Sequence, residues 1–362
     1  MTIEALEKQL NSKQLDSIYL FYGEELYLLE NNVKKIRNLF GECVKGINYI
    51  LIDEQNVGEI ISDIETPSFG YEKKLIIAKN TGILKKEGRK KNAELAKLRD
   101  RLSNYLNENI DIVKESVILV FVEEDVDVKQ ELYKTIDKNG IVCKFDFQKP
   151  LQIEQRLKGI CNAYQVNISS DTIKYLIECC GTNMQDLINE IRKLIEYAGK
   201  SGTIQKEDID KLSIKKIESV IFDLTDDLGK KDITQALQVL QNLIYAKEPL
   251  PKILVTLYNH FKKLYFTKLS IKNNKDLVQS LNLKPNQVFL TNKYKTQARF
   301  FKENELREIL NDLTDLDYNF KSGKIDAQIG LETILCKYCT QANDWILNNI
   351  NRINISKLAI DL

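Results

Sequence analysis

A chain of 362 residues is longer than one core ordinarily spans, so two or three domains are expected. Its 53 Lys and Arg against 52 Asp and Glu leave a net charge of +1, which excludes the strongly basic footprint of a protein whose main partner is nucleic acid. Ordinary hydrophobic and charged content, seven cysteines without framework spacing, no signal peptide and no apolar run near the ~20 residues of a membrane helix together exclude a disulfide scaffold and a helical membrane protein, so a cytoplasmic protein with reduced thiols is expected.

In chain order, residues 1–15 read as a polar amphipathic surface helix. Residues 17–22 (SIYLFY) form a first apolar strand ended by Gly23. Leu26, Leu29, Val33, Ile36 and Phe40 then recur at helical spacing over 24–40. A second strand is expected at 47–52, followed by a helix that ends near Glu65, and a third strand at 75–78. A Lys-rich loop at 85–91 leads to a helix over 95–106. VILVFV at 117–122 is the fourth and most apolar strand, 129–138 is helical, and 141–147 is the fifth strand. Strands alternating with helices at this rhythm argue for a parallel sheet covered on both sides.

One stretch in this half stands out, TPSFGYEKKLIIAKN at 66–80. Its second part is a short Leu- and Ile-rich run, the pattern of a strand buried on both faces. Its first part stops a helix at Pro67 and sets Phe69 in a polar turn closed by Gly70. A large aromatic there is either tucked back onto the sheet or offered to a partner.

The same order invites a nucleotide-site test at the turn after the first strand. A phosphate loop needs glycines, a lysine and a hydroxyl residue, whereas this turn reads Tyr22-Gly23-Glu24-Glu25-Leu26. It has one glycine, no lysine, and two carboxylates that would repel a triphosphate. Gly199-Lys200-Ser201 has Leu194 where its first glycine belongs and follows a helix, so it reads as a helix C-cap. Glu123-Glu124-Asp125 reads as a solvated turn rather than a metal site. No ATP hydrolysis and no cofactor are expected.

From Pro150 helices take over. Residues 151–164, 171–180 and 184–197 form a three-helix unit, with Ser170-Asp171 capping one helix and Gly181 ending it. Residues 203–212, capped by Thr203, close the unit. After a polar link, helical segments follow at 220–228, 233–245, 251–270, 275–281, 285–296, 303–319 and 329–339, and an amphipathic tail at 343–362 holds the one tryptophan, Trp345. The expected domains are an α/β parallel-sheet domain at 1–149, a small helical domain at 150–214, a larger all-α domain at 215–342, and the tail.

Several residues invite a chemical reading. Cys336 and Cys339 (CKYC) sit at helical spacing without a second pair, and zinc takes about four ligands, so a helix face is expected. Cys179-Cys180 reads as a helix end, and His260, in an apolar helix beside Phe261, as structural. Residues 293–300 interleave basic and aromatic side chains in a way that suits single-stranded DNA, making Lys293, Lys295 and Arg299 candidate contacts. Helix packing with a solvated basic face is the reading preferred.

The order of elements and several strings resemble the delta subunit of the bacterial DNA polymerase III clamp loader. The strings are YLFYGEE at 19–25, TPSFGYEKKLIIAKN at 66–80, KQELYKTIDKNG at 129–140, CGTNMQDLINEIRKL at 180–194, ESVIFDLTDDL at 218–228, QARFFKENEL at 297–306 and LDYNFKSGKID at 316–326. The likeness spans about residues 16–340.

The resemblance implies an AAA+-like member with a degenerate nucleotide site, a lid-type helical domain, and a C-terminal collar joining ATPase and delta-prime type subunits, with primed DNA inside the complex and no membrane. It implies a subunit that is not itself catalytic, within the DNA polymerase III holoenzyme, that binds the ring-shaped sliding clamp and opens it. The clamp contact would lie on the turn before the third strand: Pro67, Ser68, Phe69, Gly70 and Tyr71. The family's pair of adjacent hydrophobic residues falls on Ser68-Phe69. Phe69 matches and Ser68 departs, and Pro67 or Tyr71 is the compensating neighbour. Two other functions compete: an active AAA+ ATPase or helicase-loader relative, and a stand-alone DNA-binding scaffold.

Overall fold

The computed structural model describes residues 1–86 and 92–339. Contacts divide the chain into two units, Met1–Phe147 and the part that begins at Gln148.

The first unit holds α1 (Ile3–Asn11), β1 (Ile18–Tyr22), α2 (Leu26–Phe40), β2 (Tyr49–Ile52), a 3-10 turn (Val57–Glu59), α3 (Ile60–Glu65), β3 (Lys74–Lys79), α4 (Ala93–Glu108), α5 (Ile110–Ser116), β4 (Val117–Glu123), α6 (Glu131–Asn139) and β5 (Ile141–Lys144). The strands form one parallel sheet in the order β2-β3-β4-β1-β5. Every residue of β1 and β4 is buried, as expected of central parallel strands covered on both faces. Alternation along β1 sends Ile18, Leu20 and Tyr22 into a core shared with Ile60 and Ile64 of α3, Leu102 and Leu106 of α4 and Leu132 of α6. Tyr19 and Phe21 point the other way and are equally buried; Phe21 meets Phe145 edge-on at 5.3 Å. β5 ends at Lys144, short of residue 147. α5 falls between the expected helix at 95–106 and β4, where the sequence reading assigns no element: seven residues burying only Val113 leave almost no periodic signal.

The second unit begins with α7 (Pro150–Ala163), β6 (Asn167–Ile168), α8 (Ser170–Cys180), α9 (Met184–Ala198), β7 (Thr203–Ile204) and α10 (Lys206–Leu212). Here two expected caps are corrected. The α8 cap is Ser169, whose side chain accepts from the Thr172 N–H, because Ser170 already has helical geometry. Thr203 caps nothing: it pairs with Asn167 in a two-residue parallel ladder, and Gln205 is the N-cap of α10. Gly181 and Gly199 do end their helices, at φ of +79° and +69°, where a side chain would be strained.

The unit continues with α11 (Ile217–Gly229), α12 (Ile233–Tyr245), α13 (Leu250–Lys272), α14 (Leu277–Ser280), a 3-10 turn (Pro285–Gln287), α15 (Leu290–Ala298), α16 (Glu303–Lys321) and α17 (Ala327–Cys339). The segment expected at 285–296 is thus a 3-10 turn followed by a separate helix. One core joins these helices through Ile221, Leu224, Leu240, Leu257, Phe261, Leu306, Leu313 and Leu335. The 343–362 tail with Trp345 lies outside the described residues. Among the described residues no helix is long and apolar enough to cross a membrane.

Candidate functional site

The turn between α3 and β3 is built by opposing demands. Ile60 and Ile64 pin α3 to the core, and the Thr66 N–H and hydroxyl both donate to the Ser62 carbonyl, at 2.9 and 2.7 Å. Pro67 then stops the helix, since it lacks an N–H and disfavours helical geometry in the residue before it. The Ser68 hydroxyl donates to the Tyr71 carbonyl at 2.7 Å, and Gly70 takes φ of +80°, a conformation glycine adopts without strain. Phe69 sits at the tip and is 90% exposed. It is therefore not a core residue capping the sheet. Pro67 and Gly70 are exposed beside it, while Ser68 and Tyr71 are half-buried. An exposed phenylalanine forgoes the ~1.5–3 kcal/mol its burial would contribute.

Beneath the turn lies a residue that the sequence did not single out. Lys74, at the start of β3, is only 2% exposed, and its ammonium donates to the Asp63 carbonyl at 2.8 Å and to the Thr66 carbonyl. Burial holds its pKa below the usual lysine range, with the Asp63 carboxylate acting against that shift. Asp63 is itself raised, chiefly by burial. A lysine inside an otherwise apolar run was the available signal.

At the turn after β1, the Phe145 N–H donates to the Tyr22 carbonyl at 2.7 Å, and the Phe145 carbonyl accepts from the Glu25 N–H at 2.9 Å. A Cβ on Gly23 would stand 2.4 Å from that carbonyl oxygen. The Glu25 N–H, one of the donors at this turn, is therefore taken by backbone of this chain.

Glu123 is not in a solvated turn. It is 4% exposed at the end of β4 and accepts from the Thr81 N–H and hydroxyl at 3.0 and 2.6 Å and from the Gly82 N–H at 3.4 Å. Burial raises its pKa against the pull of those donors. It ties the end of β3 to β4 and is fully occupied in doing so.

The candidate DNA contacts separate. Lys295 and Arg299 line an open groove of about 790 Å³ with Lys268 and Lys272 of α13 and with Lys302 and Glu303 at the start of α16. Lys293 is not in that lining: it pairs with Glu178 at 2.9 Å and lies 5.8 Å from the Phe222 ring centre. Lys268, Lys272 and Lys302 escaped sequence reading because the groove gathers three segments distant in the chain.

His260 is buried and shares a 2.8 Å hydrogen bond with Gln297 Oε1. None of the seven cysteines is joined in a disulfide. Among the described residues no cluster of three His, Cys, Asp or Glu could hold a metal ion.

A five-stranded parallel sheet followed along the chain by a predominantly helical region is the mixed architecture of clamp-loader delta proteins. The structure overlays the Bacillus subtilis DNA clamp loader delta protein with a TM-score of 0.72 and 25% identity, covering 93% of this chain and 99% of that one. Two family models match, described as "DNA polymerase III, delta subunit" over residues 19–146 and "DNA polymerase III delta subunit, C-terminal domain" over residues 218–338. Among curated proteins, the DNA polymerase III subunit delta of Bacillus subtilis (strain 168) is 27% identical over 334 residues, 91% of this chain and 94% of that one. The probable DNA polymerase III subunit delta of Aquifex aeolicus (strain VF5) is 28% identical over 316 residues, 83% and 85% of the two chains. The chain belongs to the DNA polymerase III delta subunit family and is a clamp-loader protein of DNA replication.

Proposed function

We propose that this chain binds the sliding clamp through Phe69 and opens its ring. The observation that carries this is an aromatic side chain held 90% exposed on a braced turn, since interface energy concentrates in a few such anchors. Opening needs no bond chemistry. Binding at Phe69 must favour the distorted ring interface over the closed one, because only differential affinity shifts such an equilibrium. On this reading the chain is a non-catalytic part of the polymerase holoenzyme. What supports that is the turn after β1, where Phe145 backbone takes the Glu25 N–H; ATP would act in neighbouring subunits of the cytoplasmic complex. Residues 150–214 then serve as the lid-type domain, and 215–342 as the collar that joins ATPase and delta-prime type subunits.

The groove bearing Lys295 and Arg299 is the surface we assign to primed DNA within the assembled loader. Its five cations against one carboxylate suit a phosphodiester backbone.

The test is to mix the purified chain with the sliding clamp in the absence of ATP and measure the mass of the product by light scattering. A one-to-one complex is expected. Two unmixed species at micromolar concentration would sink the proposal, and micromolar ATP affinity of the isolated chain would revive the ATPase alternative.

A further inference from the structure

We infer that Lys74 is the positioning residue of the docking turn, a buried ammonium that fixes where Phe69 stands. The inference rests on the reading of Phe69 as the clamp anchor. Both ends of the turn meet at this one side chain. Its backbone is locked into the sheet opposite Val117, and its ammonium reaches back to the carbonyls of Asp63 and Thr66. Both acceptors belong to the C-terminal end of α3, where carbonyls lack helical partners and where the helix dipole favours a cation.

Core packing does not explain a lysine here. The residues that follow it in β3, Leu75, Ile76, Ile77 and Ala78, are all apolar and buried, and a buried ammonium is costly unless hydrogen-bonded. An apolar side chain at position 74 would fill the same strand without that penalty, but would leave the two α3 carbonyls without this donor and the turn free at one end. A free turn lets Phe69 fold back onto apolar surface, as the hydrophobic effect favours. The clamp would then bind only after the turn is ordered, and that ordering subtracts from affinity. With Lys74 in place the anchor is already presented.

The test compares sliding-clamp affinity and thermal unfolding for Lys74→Met, Lys74→Gln and Lys74→Arg, each with Phe69 intact and with Phe69→Ala. With Phe69 intact, Lys74→Met weakens clamp binding about tenfold by removing preorganisation. In the Phe69→Ala background the same change alters affinity by less than about twofold, because two residues acting through one contact are coupled. Lys74→Arg, which retains a donor fork, recovers most of the affinity, an outcome that a loss of packing alone would not give. Should Lys74→Met not fold, Lys74→Gln carries the same comparison, because its amide is uncharged and one bond shorter than the ammonium that meets the Asp63 and Thr66 carbonyls. A folded Lys74→Met or Lys74→Gln protein that binds clamp normally while Phe69→Ala does not overturns the inference and leaves the clamp reading standing. Equal losses in both backgrounds also overturn it. An unaffected Phe69→Ala protein instead removes the clamp reading and this inference with it.

Discussion

The Ser68 hydroxyl donates to the Tyr71 carbonyl at 2.7 Å, closing the turn directly under Phe69. A hydroxyl engaged inside its own turn is a brace. It contributes nothing apolar to a partner, although the family pattern implies a bulky residue at this position. Ser68→Ala removes the brace and leaves the backbone path open to the same conformation. A net hydrogen bond of about 1 kcal/mol corresponds to roughly fivefold weaker clamp binding, with little change in melting temperature. Calorimetric titration against the clamp reads the difference; identical affinities would mean that the turn holds its shape without this bond.

Phe69→Ala removes the proposed anchor itself. Truncating a central aromatic anchor weakens an interface by about 2 kcal/mol or more, roughly thirtyfold. Thermal stability should not fall, because the ring is 90% exposed and gives up almost no burial. Unchanged clamp affinity in the folded variant eliminates Phe69 as the anchor.

Gly23 is tested through the fold. Its φ of +130° and the 2.4 Å approach a Cβ would make to the Phe145 carbonyl leave no room for a side chain. Gly23→Ala should therefore destabilise the first unit by at least about 2 kcal/mol, combining backbone strain with overpacking. Urea unfolding followed by a first-unit probe measures this. A stability loss below about 0.5 kcal/mol would show that the Phe145 segment is free to move away from the turn, and it would then lend no support to the non-catalytic reading.

Lys295→Ala with Arg299→Ala tests the groove. Each phosphate that the protein no longer neutralises reduces the salt slope of DNA binding by about 0.7 for a single strand. The assembled loader carrying both changes should bind primed DNA more weakly at low salt, with a slope shallower by about 1.4. Lys293→Ala serves as the control, since its ammonium is held by Glu178. If Lys293→Ala flattens the slope as much as the double change, DNA does not lie in this groove.

How much of this could be read from the chain depends on whether the deciding partner was local. β1, β3 and β4 were legible because buried parallel strands are continuous apolar runs, here bounded by Gly23 and by the polar residues after Lys79. Phe69 was legible as an anomaly, a large aromatic between a helix-stopping proline and a turn glycine, but whether it faced the sheet or solvent depended on three-dimensional placement. Thr203 looked like a cap because Thr before acidic residues usually is one, yet its partner Asn167 lies in another segment. Glu123 looked solvated for the same reason: its donors Thr81 and Gly82 follow a different strand. Lys74 hid within its run because only the folded turn brings the Asp63 and Thr66 carbonyls to its ammonium.

His260 makes the second unit sensitive to acid. Burial lowers its pKa from the usual 6.5 to about 4, with the Gln297 hydrogen bond acting against that shift and Lys263 adding to it. Gln297 is itself fixed, donating at 2.8 Å to the Phe222 carbonyl and to Asp226, so its oxygen faces the ring and the neutral imidazole donates from Nε2. The folded state therefore binds a proton less readily than the unfolded chain. Stability attached to the neutral ring is fully present above about pH 6.5 and is lost progressively as pH falls toward 4, by up to about 3 kcal/mol. Being the one histidine in the chain, His260 gives a single imidazole resonance, whose titration should have its midpoint near 4. His260→Gln should flatten the dependence of second-unit stability on pH across the same window. A midpoint near 6.5 would mean that the ring reaches water, and the hydrogen-bonded arrangement with Gln297 would have to be abandoned.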